Sequence, residues 1–289
     1  MSTSRGTGIL LMLAIISSAC STQGLVINNI DIGKSLSAIG HTSDALTEVD
    51  EEAEILLGQE IATNLLGVAP LLADQEVQSY VNKVGRWVSM HSERPNLPWS
   101  FAVMDDMSIN AFAAPGGYIV ITKGLLLRLN NEAELAGVLG HEISHVLRRH
   151  HLNVLKNTSG MRALTDITSV ILTAKEEDTQ SLKLVTAGTE IYIRGLDKDD
   201  EFESDAMGVV LAARAGYDPY GLPAALHSLQ MINPDDAGIA MMFKTHPSLD
   251  ERLSRLDNVM IKGFERFDHS PAVETRFTRA LAGISAPME

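Results

Sequence analysis

Cysteine is almost absent from this 289-residue chain. Cys20 is the only one, so no disulfide can close within it. A long apolar run is missing too: residues 8–16 (GILLMLAII) fall well short of the ~20 residues that a membrane-spanning helix needs. Basic charge is scarce, with 23 Lys+Arg against 37 Asp+Glu and a net charge of −14. That balance argues against a nucleic-acid binder, which needs a basic face to neutralise phosphates. No internal repeat or low-complexity run is present, so a solenoid or a disordered chain is an uneconomical account. What is there has ordinary globular proportions, 45% hydrophobic and 21% charged. The length allows one large or two small domains and a core that needs no staples.

The apolar run follows Arg5 and precedes Ser17, Ser18 and Ala19. A charged start, a short apolar stretch and small residues at its end make the pattern of a secretory signal peptide over residues 1–19. Ser18-Ala19-Cys20 resembles the lipobox of bacterial lipoproteins, in which the cysteine is lipidated and tethers the protein. Ser17 departs from the Leu usual there. Ser21 after the cysteine resembles the pattern of outer-membrane sorting. An ordinary signal peptide with an incidental cysteine, or an uncleaved anchor, are the alternatives. Lipidation also accounts for a lone thiol in an oxidising compartment.

Residues 20–45 are small and polar and read as a tether. From Glu48 the apolar spacing turns helical, with Ile55, Leu57, Ile61 and Leu65. A second helix over 75–91 carries Val77, Val81, Val84 and Val88 on one stripe. Two strands are expected, at 99–103 and 117–122, separated by a turn-forming stretch, 110–117 (NAFAAPGG). A long helix runs from Asn131 to about His151, with Asn131 and Glu134 at capping-box spacing. Its apolar residues occupy much of its circumference, so it should be buried. Residues 157–196 resist assignment and are a candidate lid. Helices follow over 199–214, stopped by Gly216 and Pro219, and from Ser248. The expected fold is α+β and mostly helical, with a small sheet beside one buried helix. Residues 46–289 form the catalytic domain.

Within that helix lies His141-Glu142-Ile143-Ser144-His145. Positions i and i+4 are about 40° apart and roughly 6 Å along the axis, so both imidazoles reach one tetrahedral Zn²⁺. Glu142 suits the general base and acid of a peptidase using metal-activated water. A third ligand has two candidate sources. His151 stands six residues after His145, the spacing of H-E-x-x-H-x-x-G-x-x-H, but Arg148 occupies the glycine position. A continuing helix turns His151 about 240° away, and residues 148–151 then read as a basic helix end. The other source is the acidic stretch 199–205 (DDEFESD). Glu201 and Asp205 share a face at i and i+4, with Gly208 permitting close approach of another helix. That arrangement suits Glu201 on the metal and Asp205 on a ligand imidazole; Glu203 and Asp200 stay open.

The chain resembles the HtpX- and CAAX-prenyl-endopeptidase-like family of gluzincin, zincin-fold metalloproteases, in its soluble, secreted branch. The likeness rests on residues 110–118, Thr122-Lys123-Gly124-Leu125, Glu132–His145, Glu201–Asp205 with 215–219 (AGYDP), and Thr245-His246-Pro247-Ser248 with Arg252. It implies one zinc per chain on His141, His145 and Glu201, with Glu142 catalytic and Asp205 supporting. It implies unfolded or misassembled envelope polypeptides as substrates, laid along an edge strand near Ala111 to Val120, a sequence-tolerant mode. With the lipobox-like start, the expected location is the periplasm, tethered to the outer membrane through Cys20. Ser204 replaces the usual Ala. His246 reads as an oxyanion stabiliser, a fourth ligand that self-inhibits, or a plain turn residue.

The rival readings are a catalytically silent envelope chaperone and a structural zinc domain with a closed four-ligand site. For the anchor, mass spectrometry of the mature N-terminus is expected to find Cys20 lipidated. A free thiol there removes the lipoprotein.

Overall fold

In the computed structural model the described residues are 49–154 and 195–284, without 234, 235, 237, 261–263, 265, 266, 268 and 269, together with 26–27 and 30–31. The chain divides into two compact units, Met1–Ala45 and Leu46–Glu289. In the first, β1 (Val26–Ile27) pairs antiparallel with β2 (Ile30–Asp31). The signal peptide and most of the tether lie outside the described residues, as do 157–194 of the candidate lid.

The second unit is mostly helical. Its first helix, α1 (Glu51–Val68), starts where the Asp50 side chain accepts from the Ala53 amide at 2.8 Å. Three glutamates in its first turn suit the positive end of the helix. Helix α2 (Gln75–Ser89) begins on Asp74 and buries Val77, Val81, Val84 and Val88, the stripe its spacing demands.

A three-stranded sheet follows in the order β3-β5-β4. Strand β3 (Ser100–Met104) runs parallel to β5 (Tyr118–Thr122), and β4 (Ala111–Ala114) runs antiparallel to β5. The stretch that reads locally as turn-forming therefore carries a strand first, in the region where the family resemblance implies an edge strand. The turn itself is confined to Pro115–Gly117. There Gly116 has φ 75°, and a Cβ on it would lie 2.5 Å from the Ile55 Cα, so only glycine fits on both counts.

After a short α3 (Lys123–Leu126) comes α4 (Glu132–Leu147), buried from Glu132 to Val146. Asn131 Oδ1 accepts from the Glu134 amide at 2.9 Å, and Glu134 reaches back to the Asn130 amide at 2.8 Å. This reciprocal cap satisfies donors that the helix start would otherwise orphan. The helix ends four residues before the expected end. Arg149 adopts a left-handed backbone, φ 57°, and residues 150–154 are again helical in a new direction.

Helix α5 (Lys198–Arg214) lies against α4, and α6 (Gly221–Gln230) packs on α4 as well. Then follow α7 (Ala240–Thr245), α8 (Leu249–Met260) and α9 (Glu274–Leu281). At α8 the Ser248 hydroxyl accepts from the Glu251 amide, as the capping-box spacing predicts.

The α4–α5 crossing is close because it is made by glycines. A Cβ on Gly140 would sit 2.8 Å from the Gly208 carbonyl oxygen, and one on Gly208 would sit 2.8 Å from the His141 nitrogen. Any larger residue forces the two helices apart. Gly208→Val is therefore expected to lower the unfolding free energy by about 1–3 kcal/mol, read by urea denaturation. Unchanged stability would show that the crossing does not depend on this approach.

Candidate functional site

The interior of α4 carries His141, Glu142 and His145, all buried. One helical turn separates the imidazoles, and their Nε2 atoms stand 3.0 Å apart. Helix α5 presents Glu201 to both: Oε2 lies 3.7 Å from His141 Nε2, and Oε1 lies 3.6 Å from His145 Nε2. A tetrahedral Zn²⁺ with bonds of ~2.0–2.1 Å has ligand–ligand edges of about 3.3 Å, so these three groups have the spacing of a metal cradle. The fit has a second sign. Glu201 Oε1 is buried and has no hydrogen-bond partner, a costly state for a carboxylate unless a cation takes it up. Burial by itself raises the Glu201 carboxyl, but His246, His141 and Arg252 outweigh it and hold it at about 2.

His246, which follows α7, closes in from the other side. Its Nδ1 is 2.5 Å from Glu201 Oε2, and among the described residues His141, Glu201 and His246 each offer a ligand atom within 4.8 Å of the others. Glu142 lines the same cleft, together with His145, Glu201 and His246. Burial raises its carboxyl above the ordinary value. Strand β4 is an outer strand of the described sheet, and Ala111, Phe112 and Ala113 form one wall of the cleft.

Each histidine of α4 has its other nitrogen engaged. His141 Nδ1 is 2.9 Å from Asp205 Oδ1. Asp205 is gripped in turn by Arg252, Nε to Oδ2 at 2.8 Å and Nη2 to Oδ1 at 2.6 Å. Burial opposes ionisation of Asp205, yet the Arg252 charge and hydrogen bonds hold its carboxyl well below the usual range. It therefore remains an acceptor for the His141 Nδ1–H, the arrangement that frees Nε2 to ligate a metal. His145 Nδ1 meets the Ser204 hydroxyl at 3.2 Å and His150 Nδ1 at 3.0 Å.

Two expectations need correction here. The helix does not carry His151 away, because the left-handed Arg149 redirects the chain. His151 lines the cleft beside Glu142 and Glu201, with its ring 5.6 Å from that of His145; burial pushes it down to about 3. Nor do residues 148–151 form a plain basic helix end, since His150 is buried against His145. Of the alternatives left open, Glu203 turns outward to Arg148 at 2.9 Å, and Asp200 is part-exposed, 3.5 Å from His150. His150 and the role of Ser204 escaped the sequence reading, because nothing local announces a reversal at Arg149.

The sequence pattern of Peptidase family M48 matches residues 72–260. The "Beta-barrel assembly-enhancing protease" of Yersinia pestis is 30% identical over 254 residues, covering 86% of this chain and 51% of that protein. Its namesake in Escherichia coli K12 is 28% identical over 240 residues, covering 78% and 49%. "Metalloprotease YcaL" of E. coli K12 is 25% identical over 259 residues, covering 88% of this chain and 98% of that protein. The chain thus spans about half the length of the two assembly-enhancing proteases. With the match running from before β3 to the end of α8, and so across the whole site, the chain belongs to peptidase family M48, the zinc metalloproteases.

Proposed function

We propose that this chain is a zinc endopeptidase that cleaves misfolded or unassembled polypeptides of the cell envelope. The observation that carries the reading is the meeting of His141 and His145 Nε2 with Glu201, whose Oε1 has no hydrogen-bond partner, next to Glu142 in the cleft. His141, His145 and Glu201 hold the metal. Bound zinc supplies Lewis acidity, polarising the scissile carbonyl and acidifying a water. Glu142 accepts the proton of the attacking water and returns it to the leaving amine nitrogen. Asp205, braced by Arg252, keeps His141 in the tautomer that ligates through Nε2. Strand β4 borders the cleft, so a substrate lying extended along it would be bound mainly through its backbone, which tolerates many sequences.

Substrates of the envelope are supported by the name of the assembly-enhancing relatives and by the signal-like start of the chain. No helix among the described residues is long and apolar enough to cross a membrane. Attachment through Cys20 is supported by its lipobox-like setting, and the proposed location is the periplasmic face of the outer membrane. One observation favours the silent or self-inhibited reading. His246 already grips Glu201 at 2.5 Å, the place where a fourth ligand would exclude water and substrate.

Casein digestion by the purified mature chain distinguishes these readings. Wild type is expected to cleave, a zinc chelator to abolish cleavage, and Glu142→Gln to slow it by about 10²–10⁴-fold. Equal cleavage by wild type and Glu142→Gln overturns the mechanism. If neither cleaves while zinc stays bound, the silent reading stands.

A further inference from the structure

The two ligand histidines are braced in different ways. His141 rests on a carboxylate whose charge is matched by Arg252. Among the described residues His145 Nδ1 meets no carboxylate; it meets a second imidazole, His150 Nδ1 at 3.0 Å, and the Ser204 hydroxyl at 3.2 Å. Ser204 Oγ is also 3.4 Å from His150 Nδ1. All three side chains are buried, so their donors and acceptors must match one another rather than water.

The matching leaves one arrangement. When His145 ligates through Nε2, its Nδ1 carries the hydrogen and must donate. Two nitrogens facing each other at 3.0 Å cannot both hold a hydrogen, so His150 Nδ1 is the acceptor. The hydrogen of His150 then sits on Nε2. That atom faces the part-exposed carboxylates Glu203 and Asp200, at 3.4 and 3.5 Å. Glu203 is itself held by Arg148 at 2.9 Å. Ser204 can accept from His145 and turn its own hydrogen towards His150. Sequence spacing points to none of this, because His150 reaches the site only through the left-handed turn at Arg149.

We infer that His150, with Ser204, is the positioning pair for His145. It forms a chain from the metal ligand through a neutral imidazole to Glu203 and Asp200 at the surface, and it sets the tautomer in which His145 binds zinc. The inference rests on the zinc reading above. His150 and Ser204 touch neither metal nor substrate. They act through His145, so removing the acceptor weakens zinc binding itself, whatever happens to catalysis.

The test is zinc affinity of the full mature chain, by competition with a chelator, beside the thermal melt of each metal-free variant. His150→Phe keeps a ring but removes the acceptor, and is expected to weaken zinc binding by about 10–100-fold. His150→Asn returns a carbonyl oxygen near the position of Nδ1 and is expected to stay within about threefold of wild type. Ser204→Ala, which leaves His150 in place, is expected to lose only a few-fold. Equal zinc affinity for His150→Phe and wild type overturns the inference, and so does a failure of His150→Asn to bind better than His150→Phe. Should His150→Phe melt without folding, nitrogen NMR of zinc-loaded wild type decides. An unprotonated Nδ1 on His150 supports the chain, whereas a hydrogen on that atom overturns it. A wild-type chain that holds no zinc defeats the metal reading instead, a result that the same titration distinguishes.

Discussion

Two helices can share a buried metal cradle only if their backbones come close enough for short carboxylates to reach imidazoles. Here Gly140 and Gly208 permit that approach, and every functional distance inherits from it. Glu201 and Asp205 lie within two turns of Gly208, and His141 is next to Gly140. The acids of α5 therefore face the histidines of α4 without spanning a gap. The rest of the fold secures this crossing. Helices α2, α6 and α8 cover the remaining faces of the pair, so the polar residues sit inside a core packed by valine and leucine.

Burying so many ionisable groups is unfavourable unless their charges are matched. Asp205 and Arg252 match each other in a two-pronged contact. Glu201 remains ionised, with one oxygen against His246 and the other without a hydrogen-bond partner. That imbalance is what a bound cation would relieve. Glu142, raised by burial, stands where proton transfer is useful. The network thus separates carboxylates by environment: Asp205 matched by arginine, Glu201 held ionised beside three histidines, and Glu142 raised by burial.

A second constraint lies at the far end of α4. A left-handed backbone at a non-glycine residue costs roughly 1–2 kcal/mol, and Arg149 adopts it. Contacts distant in sequence offset that cost. Its guanidinium reaches Glu54 of α1 at 3.0 Å and the Val49 carbonyl at 3.3 Å. Glu54 is fully buried, held also by Arg94 at 2.9 Å and by the Gly116 amide at 3.2 Å. One carboxylate on α1 thus ties down the turn that delivers His150 and His151, and the glycine turn that ends β4. Alteration of Glu54 would disturb the cleft from outside it.

Local chemistry in the chain was enough to mark α1 and α2 by their apolar stripes and α8 by its cap. It was also enough to mark α4 as buried, to put His141, Glu142 and His145 on one helix, and to give Glu201 and Asp205 a common face beside a glycine. These depend on spacing within a few residues, where helical geometry is rigid. The end of α4 at Leu147, strand β4 at 111–114 and the arrival of His150 and His151 at the site were decided by tertiary structure. Each depends on a partner far along the chain: Glu54 for Arg149, β5 for β4, and Ser204 and His145 for His150. Helical periodicity extrapolates a helix until something stops it, and here what stops it is a buried carboxylate almost a hundred residues upstream.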